Sequence, residues 1–341
     1  MRNFTIRQVI AGVATLLLLI AFPLVISQSV HIHVMILVFM FGMLGVAWNI
    51  MGGYAGMFSF GQAAFFGIGA YTSSYLSVAH GVNPWIGLVA GGCAAALVAA
   101  AIGYPCSSLR GHYFAIASIA FAEIVRIVFN NWQTVGAAEG LTLSMQNESF
   151  ANFLFNSSKL PYYYIMLAFL LLSLAVCYFV ATSKMGYYFR AIKESHKIAE
   201  VMGVNVVLYR LMAIMISAFL SAMAGTFYAQ YVLYIDPGSV MVLATSVQIV
   251  LISMLGGAGS IMGPVIGAAI LIPASEYTRI TLGYKGTGVD MLIYGLLITL
   301  ISMYYPDGVW KLLSKIGGKT PDGVWKLLSK IGGKTRRSVN S

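Results

Sequence analysis

Apolar residues run along this chain in blocks of about 17–22, and polar residues collect in the gaps between the blocks. Within a block the apolar and polar positions do not alternate, which argues against half-buried strands. A helix of that length, rising ~1.5 Å per residue, crosses a hydrocarbon core ~30 Å thick. A membrane barrel would need alternating segments of ~10 residues instead. The pattern predicts ten spans, over about 8–26, 33–52, 60–79, 84–105, 112–131, 161–181, 209–231, 243–258, 260–280 and 288–304. The expected fold class is all-α, a polytopic membrane protein of about ten transmembrane helices. The first run is long enough to span and no small-x-small cleavage site follows it, so it reads as an uncleaved helix.

Composition agrees with lipid as the solvent. Hydrophobic residues make up 59% of the chain and charged residues 9%, against roughly 25% charged in a soluble domain. Between Arg7 and Arg110 there is no Lys, Arg, Asp or Glu. A water-soluble fold could not keep such a stretch in solution, whereas lipid only demands that the backbone satisfy its own hydrogen bonds. The net charge of +10 does not point to nucleic acid, because the basic residues lie in the gaps and the tail. With a cytoplasmic amino terminus, Arg2, Arg7, Arg110, Lys184, Arg190, Lys193, Lys197, Arg210 and the tail cations are all inside. The outside receives only Lys159, Arg279 and Lys285, and Arg126 lies within a span. This asymmetry puts both termini in the cytoplasm.

Catalytic chemistry is not encoded. Cys93, Cys106 and Cys177 sit in or beside apolar blocks and form neither a metal motif nor a disulfide framework. The five histidines supply no ligand set, and no Ser/His/Asp arrangement stands out.

Two stretches are rich in glycine. Met57–Leu76 carries Gly61, Gly67 and Gly69, small residues that let backbones approach closely in lipid. Met254–Ile270 carries Gly256, Gly257, Gly259, Gly263 and Gly267 with Pro264, and reads as a break followed by a tightly packed helix. Gly259, Gly263 and Gly267 are spaced i, i+4, i+8, which predicts one shared face. An interruption in each half hints at an internal structural repeat.

Residues 182–208 predict a short amphipathic helix on the cytoplasmic side. Phe189, Ile192, Ala199 and Met202 recur at roughly helical spacing, and Arg190, Lys193, Glu194, Lys197 and Glu200 supply a polar face. Gly203 is the expected stop. Such a helix lies on the bilayer surface or docks into a groove of a partner. Within the spans, Glu123 and Arg126 are three apart and share a helix face. They either face a water-filled cavity or partner, or pair with each other to stabilise packing. Gln62, Asn130 and Gln230 are further polar candidates at span ends, with Asn49 and Asn131.

Four ordered blocks carry a family resemblance: "FSFGQAAFFGIGAYTSSYL", "LRGHYFAIASIAFAEIVRIVFNNWQTVGAAEGL", "MGYYFRAIKESHKIAEVMGVNVVLYR" and "SVQIVLISMLGGAGSIMGPVIGAAIL". Over about 40–305 the chain resembles the permease subunits of bacterial branched-chain amino acid ABC transporters, and the second block points to the longer, M-type permease of the leucine/isoleucine/valine uptake system. Urea and short-amide permeases share these blocks. The resemblance implies an ATP-driven importer in the bacterial inner membrane. Its partners would be a second permease subunit, two ATP-binding subunits and a periplasmic substrate-binding protein. The 182–208 segment would be the coupling helix that docks on an ATP-binding subunit, with Arg190, Lys193, Glu194, Ala199 and Gly203 in that element. Gln62, Glu123, Arg126, Asn130 and Gln230 would be the candidates for the translocation pathway. An ion-coupled secondary transporter is the alternative from another class.

No nucleotide motif of the chain's own supports an internal ATPase. Gly318-Lys319-Thr320 and Gly333-Lys334-Thr335 lack the required earlier glycine, since positions 313 and 328 are both Leu. No cofactor is expected on this chain; ATP would be used by the partners. The chain divides into a permease domain, 1–305, and a cytoplasmic tail, 306–341. In the tail "PDGVWKLLSKIGGKT" occurs at 306–320 and again, identically, at 321–335. That tandem copy marks a recent duplication or an artefact. The resemblance expects one such turn after the last span, at Pro306-Asp307-Gly308-Val309.

Overall fold

The computed structural model describes residues 17–23, 28–107, 109, 111–143, 149–150, 152–155, 158–282, 295, 299 and 308–310. Most of the expected span 8–26, nearly all of 288–304, and the tail copy at 321–335 lie outside the described residues. Residues 17–23 are helical.

Helix α1 covers Ser29–Trp48 and continues as a π-helical turn, Asn49–Tyr54. Then come α2 (Gln62–His80), α3 (Pro84–Cys106) and α4 (His112–Asn131). After a short strand β1 (Leu141–Thr142), α5 covers Leu160–Thr182. Two short helices follow, α6 (Lys184–Glu194) and α7 (His196–Val201), and then the long α8 (Val206–Val232). Strand β2 (Tyr234–Ile235), α9 (Pro237–Val240), α10 (Leu243–Gly256) and α11 (Gly263–Leu282) complete the order.

Among the described residues, six helical stretches are long and apolar enough to cross a membrane: Ser29–Tyr54, Pro84–Cys106, His112–Asn131, Leu160–Thr182, Val206–Val232 and Pro237–Gly256. Helices α2 and α11 are of similar length, 19 and 20 residues. Helix α2 buries the polar residues Gln62, Tyr71, Ser73 and Ser74. The chain is thus a polytopic helical membrane protein.

Local chemistry sets the helix ends. Asn83 caps α3 by accepting the Trp85 amide at 2.9 Å, with Pro84 at the first helical position. Asn205 caps α8 by accepting the Leu208 amide at 3.1 Å. Gly81, at φ 62°, closes α2: its amide donates to Ser77 and that of Val82 to Leu76.

Helix α1 is apolar all round and occupies the interior, against α5, α10 and α11. Helix α2 is held between α3 and α8. A methyl group at Gly69 would collide with the Ala222 backbone, and one at Gly225 with the carbonyl of Phe66. Thr226 donates to the Gly69 carbonyl at 3.1 Å across the same seam. Gly267 meets the Ile252 carbonyl of α10 in the same way. Close backbone approach gives these helices the dispersion contacts that lipid cannot supply.

At one end of the bundle, β1 and β2 pair antiparallel, Leu141 opposite Ile235 and Thr142 opposite Tyr234. Beside them Trp85, Phe153, Tyr162 and Phe227 pack edge to face. At the other end the π-turn, the α10–α11 break, the α3–α4 connection and helices α6 and α7 come together.

Two sequence expectations change. The 182–208 segment is two helices, because Ser195 is extended (φ −159°, ψ 118°) and its carbonyl accepts the Ala199 amide to start α7. Gly259 does not share a helix with Gly263 and Gly267. It sits in the break at φ 87°, after Gly257 at φ 115°, where the chain turns instead of continuing α10.

Candidate functional site

The π-turn reads Asn-Ile-Met-Gly-Gly-Tyr. A polar side chain this deep in an apolar run must be hydrogen-bonded. Asn49 is 0% exposed and uses both ends of its amide. Its Oδ1 accepts the Gly259 amide at 2.7 Å, and its Nδ2 donates to the Ser260 carbonyl at 2.8 Å. The π-turn that ends α1 and the glycine-rich break between α10 and α11 are therefore joined at one side chain. A methyl at Gly53 would collide with Asn49 and crowd the Gly259 amide, so only glycine allows this approach. Gly308, at φ 84°, rests against Gly257 on the other side of the break.

Helix α6 reaches into this junction. Lys193 Nζ donates to the Gly53 carbonyl at 2.9 Å, and its stem lies over Gly56. Arg190 donates to the Ala181 carbonyl at 3.2 Å and lies 5.5 Å from the Tyr54 ring centroid. Each cation sits where a membrane helix ends in unsatisfied carbonyls and a negative dipole end. Two basic residues of α6 thus cap the ends of the π-turn and of α5.

Helix α7 offers the opposite character. Ala199 is buried with Ile192 and Val206 in a small cluster of its own. Ile198, Val201 and Met202, spaced i, i+3, i+4, are 66%, 88% and 78% exposed. Met202 thus departs from the inward face that its spacing with Phe189 and Ile192 suggests. Gly203, at φ 81°, ends the helix, its amide donating to Glu200 at 2.9 Å. Glu194 is exposed at the end of α6. Three bulky apolar side chains on the outer tip of a short helix form a knob.

The polar candidates fall into two groups. Gln62 is buried at the start of α2, its Nε2 donating to Ser217 at 2.9 Å and Ser221 at 2.6 Å on α8. Gln230 is buried on the same helix, its carbonyl accepting from Tyr162 at 3.3 Å. Gln62 thus lies in the α2–α8 seam, and Gln230 sits where α8 meets Tyr162 of α5. Glu123 and Arg126 lie on α4 instead and pair with each other, Arg126 Nε donating to Glu123 Oε2 at 3.0 Å. Their side chains are 45% and 34% exposed. Asn130 follows one turn along the same helix and is half-buried. Beside them Tyr113, Ile116, Ile124 and Ile127 form an exposed apolar stripe. Of the packing glycines, Gly61 lies against the Ser118 carbonyl, Gly67 against Met241, and Gly263, at the start of α11, against Ser260 and the Gly257 carbonyl.

Sequence reasoning gives Asn49 only as one of several polar residues at span ends and Arg210 only as one of the inside cations, and it misses the α7 knob. Asn49 had a usable signal, an amide four residues before Gly53 within an unbroken apolar run. The knob had one too, an apolar triplet at helical spacing in a charged segment between spans.

The family model for the branched-chain amino acid transport system permease component matches residues 30–302. The chain is 29% identical over 328 residues to the high-affinity branched-chain amino acid transport system permease protein LivM of Salmonella typhimurium, covering 89% of this chain and 75% of the relative. LivM of Escherichia coli is 29% identical over 327 residues with the same coverage. The permease protein LivH of Salmonella typhimurium is 26% identical over 298 residues, covering 79% of this chain and 90% of the relative. No solved structure matches.

Proposed function

Since this chain belongs to the branched-chain amino acid transport system permease family, we propose that it is the M-type membrane permease of an ATP-driven importer for leucine, isoleucine and valine. It spans the bacterial inner membrane about ten times with both termini in the cytoplasm. It forms the translocation pathway with a second permease, while two ATP-binding subunits supply energy and a periplasmic binding protein delivers substrate. The chain itself carries out no catalysis and binds no cofactor.

One observation carries the coupling part of this reading. Lys193 of α6 donates to the carbonyl of Gly53, beside the point where Asn49 joins the π-turn to the α10–α11 break. A push on α6 and α7 is therefore delivered to the crossing of α1, α10 and α11. The exposed Ile198, Val201 and Met202 suit a groove in an ATP-binding subunit, with Arg190, Glu194 and Gly203 framing the contact and Ala199 holding α7 in place.

The outer face of α4 suits the second permease. An ion pair partly exposed within a span is costly in lipid and stable against protein or water. Glu123, Arg126 and Asn130 would then border the pathway between the two permeases, and Gln62 and Gln230 would support it from α2 and α8.

Uptake into proteoliposomes, with and without ATP hydrolysis, tests the proposal. Labelled leucine should accumulate only when the ATP-binding subunits co-purify and hydrolyse ATP, and unlabelled isoleucine and valine should compete. Competition by urea alone would move the substrate to short amides. Uptake by this polypeptide alone, driven by an ion gradient, would overturn the proposal.

A further inference from the structure

Arg210 is 4% exposed in the first turn of α8. A guanidinium buried at a membrane helix end is costly to keep there unless it holds something. Its Nη1 donates to the carbonyls of Ser107 and, at 3.0 Å, Leu109, and it lies 5.8 Å from the Phe114 ring centroid. Ser107 follows α3, Leu109 lies in the connection, and Phe114 is in the first turn of α4. One cation thus grips the end of α3, the link and the start of α4. Its neighbour Tyr209 packs on the ring of Tyr188 at 4.7 Å and of Phe189 at 6.5 Å, both on α6. Val206, one turn earlier, packs on Ile192 and Ala199. The first turn of α8 is therefore shared between the cytoplasmic helices and the root of α4.

Helix α4 is otherwise lightly held. Its apolar window is 22% buried, the lowest of the six spans, and only Phe114, Ser118, Ala122 and Val125 are buried along it. Gly111, at φ 56° and ψ −124°, precedes it with open space around the missing side chain, as a hinge requires. A cavity of about 30 Å³ lies beneath its first half, lined by Phe114, Ser118, Phe121, Phe65, Gly103 and Ile214.

We propose that Arg210 is the positioning residue through which α6 and α7 set the angle of α4, and with it the face that carries Glu123 and Arg126. The proposal rests on the reading of α6 and α7 as the docking element of an ATP-binding subunit. Through the two hydrogen bonds of Nη1 the guanidinium transfers a displacement of the start of α8 to two carbonyls of the α3–α4 link, and Gly111 lets α4 follow.

The test uses the complete transporter in proteoliposomes, reading ATP hydrolysed per labelled leucine taken up. Arg210→Gln should leave the complex assembled and hydrolysing ATP, and raise that ratio at least tenfold. Arg210→Lys, which keeps the charge without the planar fork, should raise it about threefold. If the glutamine variant does not reach the membrane, the lysine variant alone decides. An unchanged ratio in an assembled variant, or hydrolysis and uptake falling in proportion, would make Arg210 a structural anchor and overturn the proposal. Wild-type uptake without ATP hydrolysis would overturn the subunit reading as well, so the two failures are distinct.

Discussion

Asn49 accepts the amide of Gly259 across 210 residues of sequence at 2.7 Å, and with its second hydrogen bond to Ser260 it fastens the π-turn of α1 to the break between α10 and α11. Asn49→Ala leaves the half-buried Gly259 N–H and Ser260 carbonyl without this partner. The expected cost is about 1–3 kcal/mol. Thermal unfolding of the purified chain should show a lowered midpoint. Asn49→Asp keeps the acceptor but cannot donate to Ser260 when ionised, and should be at least as damaging.

Gly69 and Gly81 separate two ways in which a methyl group harms a glycine site. At Gly69 it meets the Ala222 backbone, and α2 and α8 must move apart. Overpacking of this kind costs about 1–3 kcal/mol. Gly81 has nothing within 4 Å, and its φ of 62° leaves only backbone strain, roughly 1–2 kcal/mol. Gly69→Val should lower the monodisperse yield in detergent more than Gly81→Val does.

The α7 knob makes a prediction that leaves the fold alone. Ile198 and Val201 point outward, so Ile198→Asp/Val201→Asp should yield a folded chain with a normal unfolding midpoint. Co-purification of the ATP-binding subunit should fall at least tenfold. Full retention would remove the docking role from α7.

The Glu123–Arg126 pair separates a pathway role from a packing role. Exchanging the two charges, Glu123→Arg with Arg126→Glu, preserves an i,i+3 pair. The exchanged chain should assemble with its partners and lose leucine uptake at least tenfold. Normal uptake would show that the pair serves packing alone.

The repeated tail is expected to be dispensable. Deleting 321–335 leaves the first copy, including Gly308 against Gly257. Uptake should stay within twofold of the full chain at equal membrane levels, and a greater loss would give the copy a role.

Much of the architecture can be read from the sequence because lipid forces it. A long uncharged run has one stable outcome in a bilayer, so the spans over 33–52, 60–79, 84–105, 112–131, 161–181, 209–231, 243–258 and 260–280 all coincide with helices. The break after Gly256 is legible for a similar reason, since clustered glycines next to a proline do not hold a continuous helix. What escapes is pairing at long range. Nothing near Arg210 in sequence announces Ser107 or Leu109, and nothing near Lys193 announces Gly53. The helix break at Ser195 escapes as well, because the apolar spacing from Phe189 to Met202 reads the same through a one-residue kink. Gly259 was assigned to a face by spacing alone, and its positive φ appears only once the chain is folded.

The π-turn at Asn49–Tyr54 has a mechanical consequence. Such a turn carries one residue more per hydrogen-bonded ring than its α neighbours. Everything below Trp48 is thereby indexed about 100° out of phase with the rest of the rod, by the angular step of an ordinary helix. The Gly53 carbonyl that Lys193 holds is therefore aimed by the surplus residue of the turn, and would point elsewhere on an unbroken α-helix.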